Sequence, residues 1–195
     1  MLLGPLILFA AVMALTPGPN VIMVTASAAN FGFTRTIPQV IGITIGFFLL
    51  FMTAGLGLAG VVHAEPRIQT ALKYVGGVYL LYLAWRIATA ESAENGSARA
   101  RPISALQAML LQWVNPKAWV FALGALATYT TATGDMIWET LLIAVICTVW
   151  CAISAAVWSG FGAAIGGWLA SPRARRMFNW TMAGLLVLSL VPVFW

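Results

Sequence analysis

Thr16-Pro17-Gly18-Pro19-Asn20 is a helix-breaking knot inside the otherwise apolar stretch 3–29. Pro17 and Pro19 lack the N–H groups that would bond the carbonyls of Met13 and Leu15, and their rings crowd the preceding turn. In hydrocarbon a freed carbonyl is tolerated only where it faces protein or a water-lined cavity. A break at this place therefore implies a cavity. A second, smaller break, Asn115-Pro116-Lys117, interrupts a later apolar stretch and frees the carbonyl of Gln112. Pro19 and Pro116 stand half a chain length apart. Paired interruptions in the two halves of a hydrophobic chain point to a transporter binding site.

Composition sets the surroundings. Of 195 residues, 62% are hydrophobic and 8% charged, with a mean hydropathy of +0.94. A soluble domain carries about 25% charged residues, so this reads as an all-α membrane protein. The isoelectric point near 9.8 does not imply nucleic acid, because the ten basic residues are scattered singly or sit at span ends. Cys147 and Cys151 are too few for a disulfide framework. No metal-spaced cluster and no Ser/His/Asp set is present, so neither a metal, a cofactor nor an enzyme is expected. The first basic residue is Arg35, so the chain start lacks the charged region of a cleaved signal peptide and reads as a retained span.

Six spans are expected, at roughly 3–29, 38–62, 67–89, 103–129, 136–168 and 174–194. Crossing the hydrocarbon takes about 20 helical residues, so most have length to spare. Pro5, Pro38, Pro66, Pro102 and Pro172 fall at span starts, and Pro192 at the last end. The fifth span is too long for a straight crossing, and Gly160, Gly162, Gly166 and Gly167 suggest a bend or an exit near its end. Seven arginines (Arg35, Arg86, Arg99, Arg101, Arg173, Arg175 and Arg176) flank the odd-numbered loops. Only Arg67 and Lys73 lie near loop two, and loop four has none. The bias puts the odd loops in the cytoplasm and both termini in the periplasm. The polar stretch 91–102 is then a cytoplasmic linker between repeat one (1–90) and repeat two (103–195). Three spans in each half make the halves an inverted repeat within one transporter domain, with the first and fourth helices broken at the proline motifs.

Three stretches carry a resemblance. Thr16-Pro-Gly-Pro-Asn20 is similar to the first-span signature of the LysE/RhtB family of amino-acid exporters. Lys73-Tyr-Val-Gly-Gly-Val-Tyr-Leu-Leu-Tyr-Leu-Ala-Trp-Arg86 resembles the family's third span, and Gln112-Trp-Val-Asn-Pro-Lys117 its fourth. The likeness runs through the whole chain in order. Ala84-Trp-Arg-Ile-Ala-Thr89 and Arg101-Pro-Ile-Ser104 also resemble the branch that exports cysteine and O-acetylserine. One departure is Thr36, where the family often has glycine. The resemblance implies efflux of amino acids across the bacterial inner membrane, driven by the proton gradient.

An amino-acid site must hold a carboxylate and an ammonium together. The half-helix starting at Pro19 presents free N–H groups and the positive end of a dipole, which suit a carboxylate. The carbonyls of Met13, Leu15 and Gln112 suit an ammonium. Thr16, Pro17, Gly18, Pro19, Asn20, Gln112, Asn115, Pro116 and Lys117 are therefore expected at the site; the bland alternative is a pair of kinks whose neighbours re-satisfy the backbone. Lys117 stands well inside its span, where a charge faces a cavity or else snorkels to the interface. Tyr79 and Tyr82 share a helical face; Tyr79 is included as a site candidate, against an interfacial-belt role for both. His63, beside Glu65 at an outer span end, reads as a solvated edge histidine. Gly42 and Gly46 form a small-xxx-small pair that packs helices within one subunit or joins two subunits as a homodimer.

The expected function is export of small neutral amino acids or derivatives (cysteine, O-acetylserine, homoserine or threonine) by proton antiport, with membrane lipid and protons as further partners. No acidic residue lies inside a span to meet a cationic side chain. The alternatives are an uncoupled facilitator and a thiol electron carrier using Cys147 and Cys151. These cysteines stand four apart on one helix, with no neighbouring charge, which disfavours redox chemistry.

Overall fold

The computed structural model describes residues 2–58, 66–90, 101–131, 134–169 and 171–191, and the regular structure in them is helical. Residues 91–100 of the expected linker, His63 with Glu65, and Pro192 lie outside the described residues. The helices are α1 (Leu3–Leu15), α2 (Pro19–Phe31), α3 (Phe33–Thr53), α4 (Pro66–Ala88), α5 (Ala105–Val114), α6 (Pro116–Tyr129), α7 (Met136–Trp168) and α8 (Pro172–Leu188).

Both breaks fall where the prolines put them. α1 stops at Leu15 and α2 starts at Pro19, with the two axes bent by 52°. Asn115 is extended (φ −86°, ψ 108°) and Pro116 opens α6. Pro19, Pro116 and Pro172 all sit in first turns, where a missing N–H does no harm. By length and apolarity, α3 extended to Gly57 and α7 are each able to cross a membrane, and the bent pair α1–α2 makes a third. α5 and α6, at 10 and 14 residues, are each too short alone. α4 has the length at 23 residues, but Lys73, Arg86 and its tyrosines make it less apolar.

Two sequence expectations are corrected. Pro38 lies inside α3, not at its start, because the helix begins at Phe33. Gly32 makes the sharp turn from α2 with φ 83°, a conformation that suits glycine. The Thr36 hydroxyl donates to the Gly32 carbonyl at 2.9 Å, which ties down that turn. The second correction concerns α7, one continuous helix of 33 residues with no break at its glycines. Gly162 and Gly166 are instead where it meets α2. An added Cβ would come 2.9 Å from Thr25 Cα and 3.0 Å from Ala29 Cα. Without a hydrophobic drive between helices in lipid, such backbone proximity is a main source of packing.

Gly42 and Gly46 do the same for α3 against α5, since a Cβ at either would come 2.8 Å from Ala105 Cα or Met109 Cα. This small-xxx-small pair is thus used within the chain. Between α2 and α8, Asn30 Nδ2 donates to Asn179 Oδ1 at 2.7 Å and Asn179 Nδ2 donates back at 3.2 Å. Asn179 also donates to the Ala90 carbonyl at 3.1 Å. Both asparagines are buried, so their polar atoms need these partners.

Candidate functional site

The prolines end α1 and start α2 and α6, and the packing of α3 and α7 then brings the two breaks face to face. A cavity of about 40 Å³ lies between them. Gly18, Asn20, Asn115 and Lys117 supply its polar edge, and Met13, Phe47, Phe121, Cys151, Ser154 and Ala155 are among the residues that complete its wall. A cavity needs about 10–15 Å³ by this measure to hold one water, so this one has room for a few waters and not for an amino acid. Admitting one requires the walls to part.

Each expected site residue has a definite place. Asn20 Nδ2 donates to Gln112 Oε1 at 2.9 Å, and Gln112 Nε2 donates to Asn20 Oδ1 at 3.0 Å. Gln112 Nε2 also donates to the Ala108 carbonyl at 2.9 Å, so the fully buried Gln112 stands behind Asn20 and off the cavity lining. Gly46 makes room for it, since a Cβ there would come 2.9 Å from Gln112 Cγ. Asn115 Oδ1 accepts from the Lys117 backbone N–H at 3.1 Å and so caps α6. The Lys117 ammonium donates to the Thr16 carbonyl, across the two breaks. Pro17, Pro19 and Pro116 shape the breaks without lining the cavity.

Tyr79 is not brought to this place. Its hydroxyl donates to the Gln107 carbonyl at 2.9 Å, its ring stacks on Tyr82 with centroids 6.1 Å apart, and it does not line the cavity. Arg86 Nη1 reaches Gln107 Oε1 at 3.0 Å, so this face of α4 secures the start of α5.

Ser154, Cys151, Phe47 and Phe121 are among the wall residues missed in the sequence. Ser154 Oγ donates to the Ala14 carbonyl at 2.7 Å, satisfying an acceptor that the end of α1 leaves open. Cys151 stands one turn before it on α7 with its thiol unbridged. Phe47 and Phe121 pack edge-on at 5.2 Å between centroids, and Phe121 also meets Phe51 at 5.7 Å and Phe9 at 5.6 Å. The signal available in sequence was faint. Ser and Cys at this spacing on an apolar helix read equally well as small core residues.

Apolar helices broken twice, with the breaks facing each other across a small polar-edged cavity, are the arrangement of a membrane transporter. Residues 11–192 match the family model described as LysE type translocator, and the chain belongs to that family. It is similar to the "Cysteine/O-acetylserine efflux protein" of Salmonella choleraesuis (strain SC-B67), 35% identical over 153 residues, 76% of this chain and 77% of the relative. A protein of the same description from Escherichia coli (strain K12) is 34% identical over 140 residues, covering 69% of this chain and 71% of the relative. No solved structure gives a significant match.

Proposed function

We propose that the chain exports small neutral amino acids or their derivatives from the cytoplasm, with cysteine and O-acetylserine foremost, by proton antiport. The observation that carries this reading is the cavity where the breaks meet. There the Lys117 cation, the side-chain amides of Asn20 and Asn115, and the open end of α1 lie together, as a zwitterionic ligand requires. The relatives named for cysteine/O-acetylserine efflux support the same substrate class. The five acidic residues, Glu65, Glu91, Glu94, Asp135 and Glu139, all lie in sequence at span ends or in the linker. A lysine or arginine substrate would bring a second cation to a place that offers it no carboxylate.

The membrane arrangement proposed with it has six spans. α1–α2 and α5–α6 each make one broken crossing, and α3, α4, α7 and α8 make the rest. The halves insert with opposite orientation as an inverted repeat, both termini are periplasmic, and the membrane is the bacterial inner one. Alternating access follows from rocking one repeat against the other, which also parts the walls of a cavity too small for the substrate.

The test is efflux. Cells preloaded with labelled O-acetylserine and expressing the chain should lose the label faster than control cells, and a protonophore should slow the loss. Fast loss that ignores the protonophore would replace antiport by uncoupled facilitation. Preferential loss of lysine would overturn the neutral-substrate reading.

A further inference from the structure

The contact between Lys117 and Thr16 joins the two breaks through a single cation. Thr16 follows the last residue of α1, so its carbonyl lies at the negative end of that helix's dipole. The chain turns away at Pro17, and the carbonyl is left to find a donor outside its helix. The donor is the ammonium of Lys117, from the first turn of α6. Gly18 makes the contact sterically feasible. A Cβ there would come 2.6 Å from Lys117 Cδ and 3.3 Å from Nζ. The Gly18 backbone is extended, with φ −169°, which any residue adopts. The glycine therefore serves space and not backbone freedom, and a side chain there would push the lysine stem out of this position.

A lysine side chain ends in a primary ammonium, the group that every α-amino-acid substrate also carries. We infer that the Thr16 carbonyl is the subsite for the substrate's ammonium, and that Lys117 occupies it as a tethered stand-in while no substrate is bound. This rests on the reading of the chain as an amino-acid exporter. An arriving substrate brings its own ammonium to Thr16 and displaces Lys117, whose charge then meets the substrate carboxylate. In either arrangement both the carbonyl and the lysine keep a partner. The exchange also explains why a cavity with room for water alone can belong to a larger ligand: part of the ligand's volume is held by the lysine.

The test uses the two halves of an amino acid as separate probes. n-Propylamine carries the ammonium alone and propionate the carboxylate alone. Binding of each is measured by calorimetry on the detergent-purified full chain, as wild type, Lys117→Met and Lys117→Ala. With the tethered competitor gone, propylamine should bind both variants at least tenfold more tightly than wild type, while propionate binds at least tenfold more weakly. Propylamine affinity that is unchanged or reduced in the folded variants would overturn the assignment. So would failure of both variants to fold, because the contact would then be structural. A wild type that moves no amino acid yet gives these opposed shifts would overturn the transport reading and leave the subsite standing. Transport of amino acids without the shifts would do the reverse.

Discussion

Asn20 and Gln112 exchange side-chain hydrogen bonds across the two breaks, at 2.9 and 3.0 Å, so that the start of α2 is held to the end of α5. Each amide satisfies the other's oxygen. Losing one partner strands a buried polar group at about 1–3 kcal/mol. Asn20→Ala should therefore weaken apparent substrate affinity roughly tenfold, a factor worth about 1.4 kcal/mol, while transport persists. Asn20→Ala combined with Gln112→Ala should be milder than the sum of the two single changes, because the second removes the group that the first stranded. Full additivity in vesicle transport would show that the amide pair is not a coupled unit.

Lys117 gives the sharpest expected phenotype. Lys117→Met removes a charge that is costly to place in a membrane, about 2.5–3.5 kcal/mol for lysine at a helix centre. Insertion should be unchanged or improved, and transport should be abolished. Lys117→Arg keeps the charge in a bulkier, planar form and should lower activity without abolishing it. Uptake by inside-out vesicles, at matched expression, checks both. Wild-type rates from Lys117→Met would make this lysine structural.

Two glycines separated by one residue on α7 should behave oppositely. An alanine Cβ at Gly162 would press on the Thr25 backbone of α2, whereas one at Gly160 would meet nothing within 4 Å. Gly162→Ala should lower the melting temperature in detergent, by an overpacking cost of about 1–3 kcal/mol. Gly160→Ala should leave it unchanged or raise it, because alanine is the better helix former by roughly 1 kcal/mol. Equal effects at the two positions would mean that α2 and α7 do not pack this closely.

The orientation rests on the seven arginines flanking the odd loops against the two basic residues of loop two. A cysteine introduced at Ser97 should be labelled by an impermeant reagent only after the inner membrane is opened. One introduced at Thr131 should be labelled from outside intact cells. The reverse pattern would invert the whole arrangement.

What could be read from the sequence was whatever a short stretch decides by itself. Pro17, Pro19 and Pro116 fix their breaks locally, because a proline ring cannot be accommodated by any later packing without loss of a helical hydrogen bond. Lys117 stood out because a charge in an apolar stretch must be accounted for. Pro38 misled because its place relative to the helix start depends on Gly32, six residues earlier and in a left-handed conformation. Tyr79 was placed by face alone, and the tertiary packing of α4 on α5 directed its hydroxyl to Gln107. Cys151 and Ser154 come to the cavity on α7, Phe47 on α3 and Phe121 on α6, and the close approach of α3 and α7 to their neighbours at Gly42, Gly46, Gly162 and Gly166 is a tertiary matter. The mutual bonding of Asn30 and Asn179, far apart in sequence, likewise has no local signal.

Export of small neutral amino acids is the central claim, and uptake by inside-out vesicles from cells expressing the chain tests it most directly. Under an imposed proton gradient, with labelled O-acetylserine, cysteine and lysine offered in turn, O-acetylserine and cysteine should accumulate above control vesicles, and lysine should not. Lysine accumulation in preference to the other two, or no accumulation of any of the three by correctly inserted protein, would contradict it.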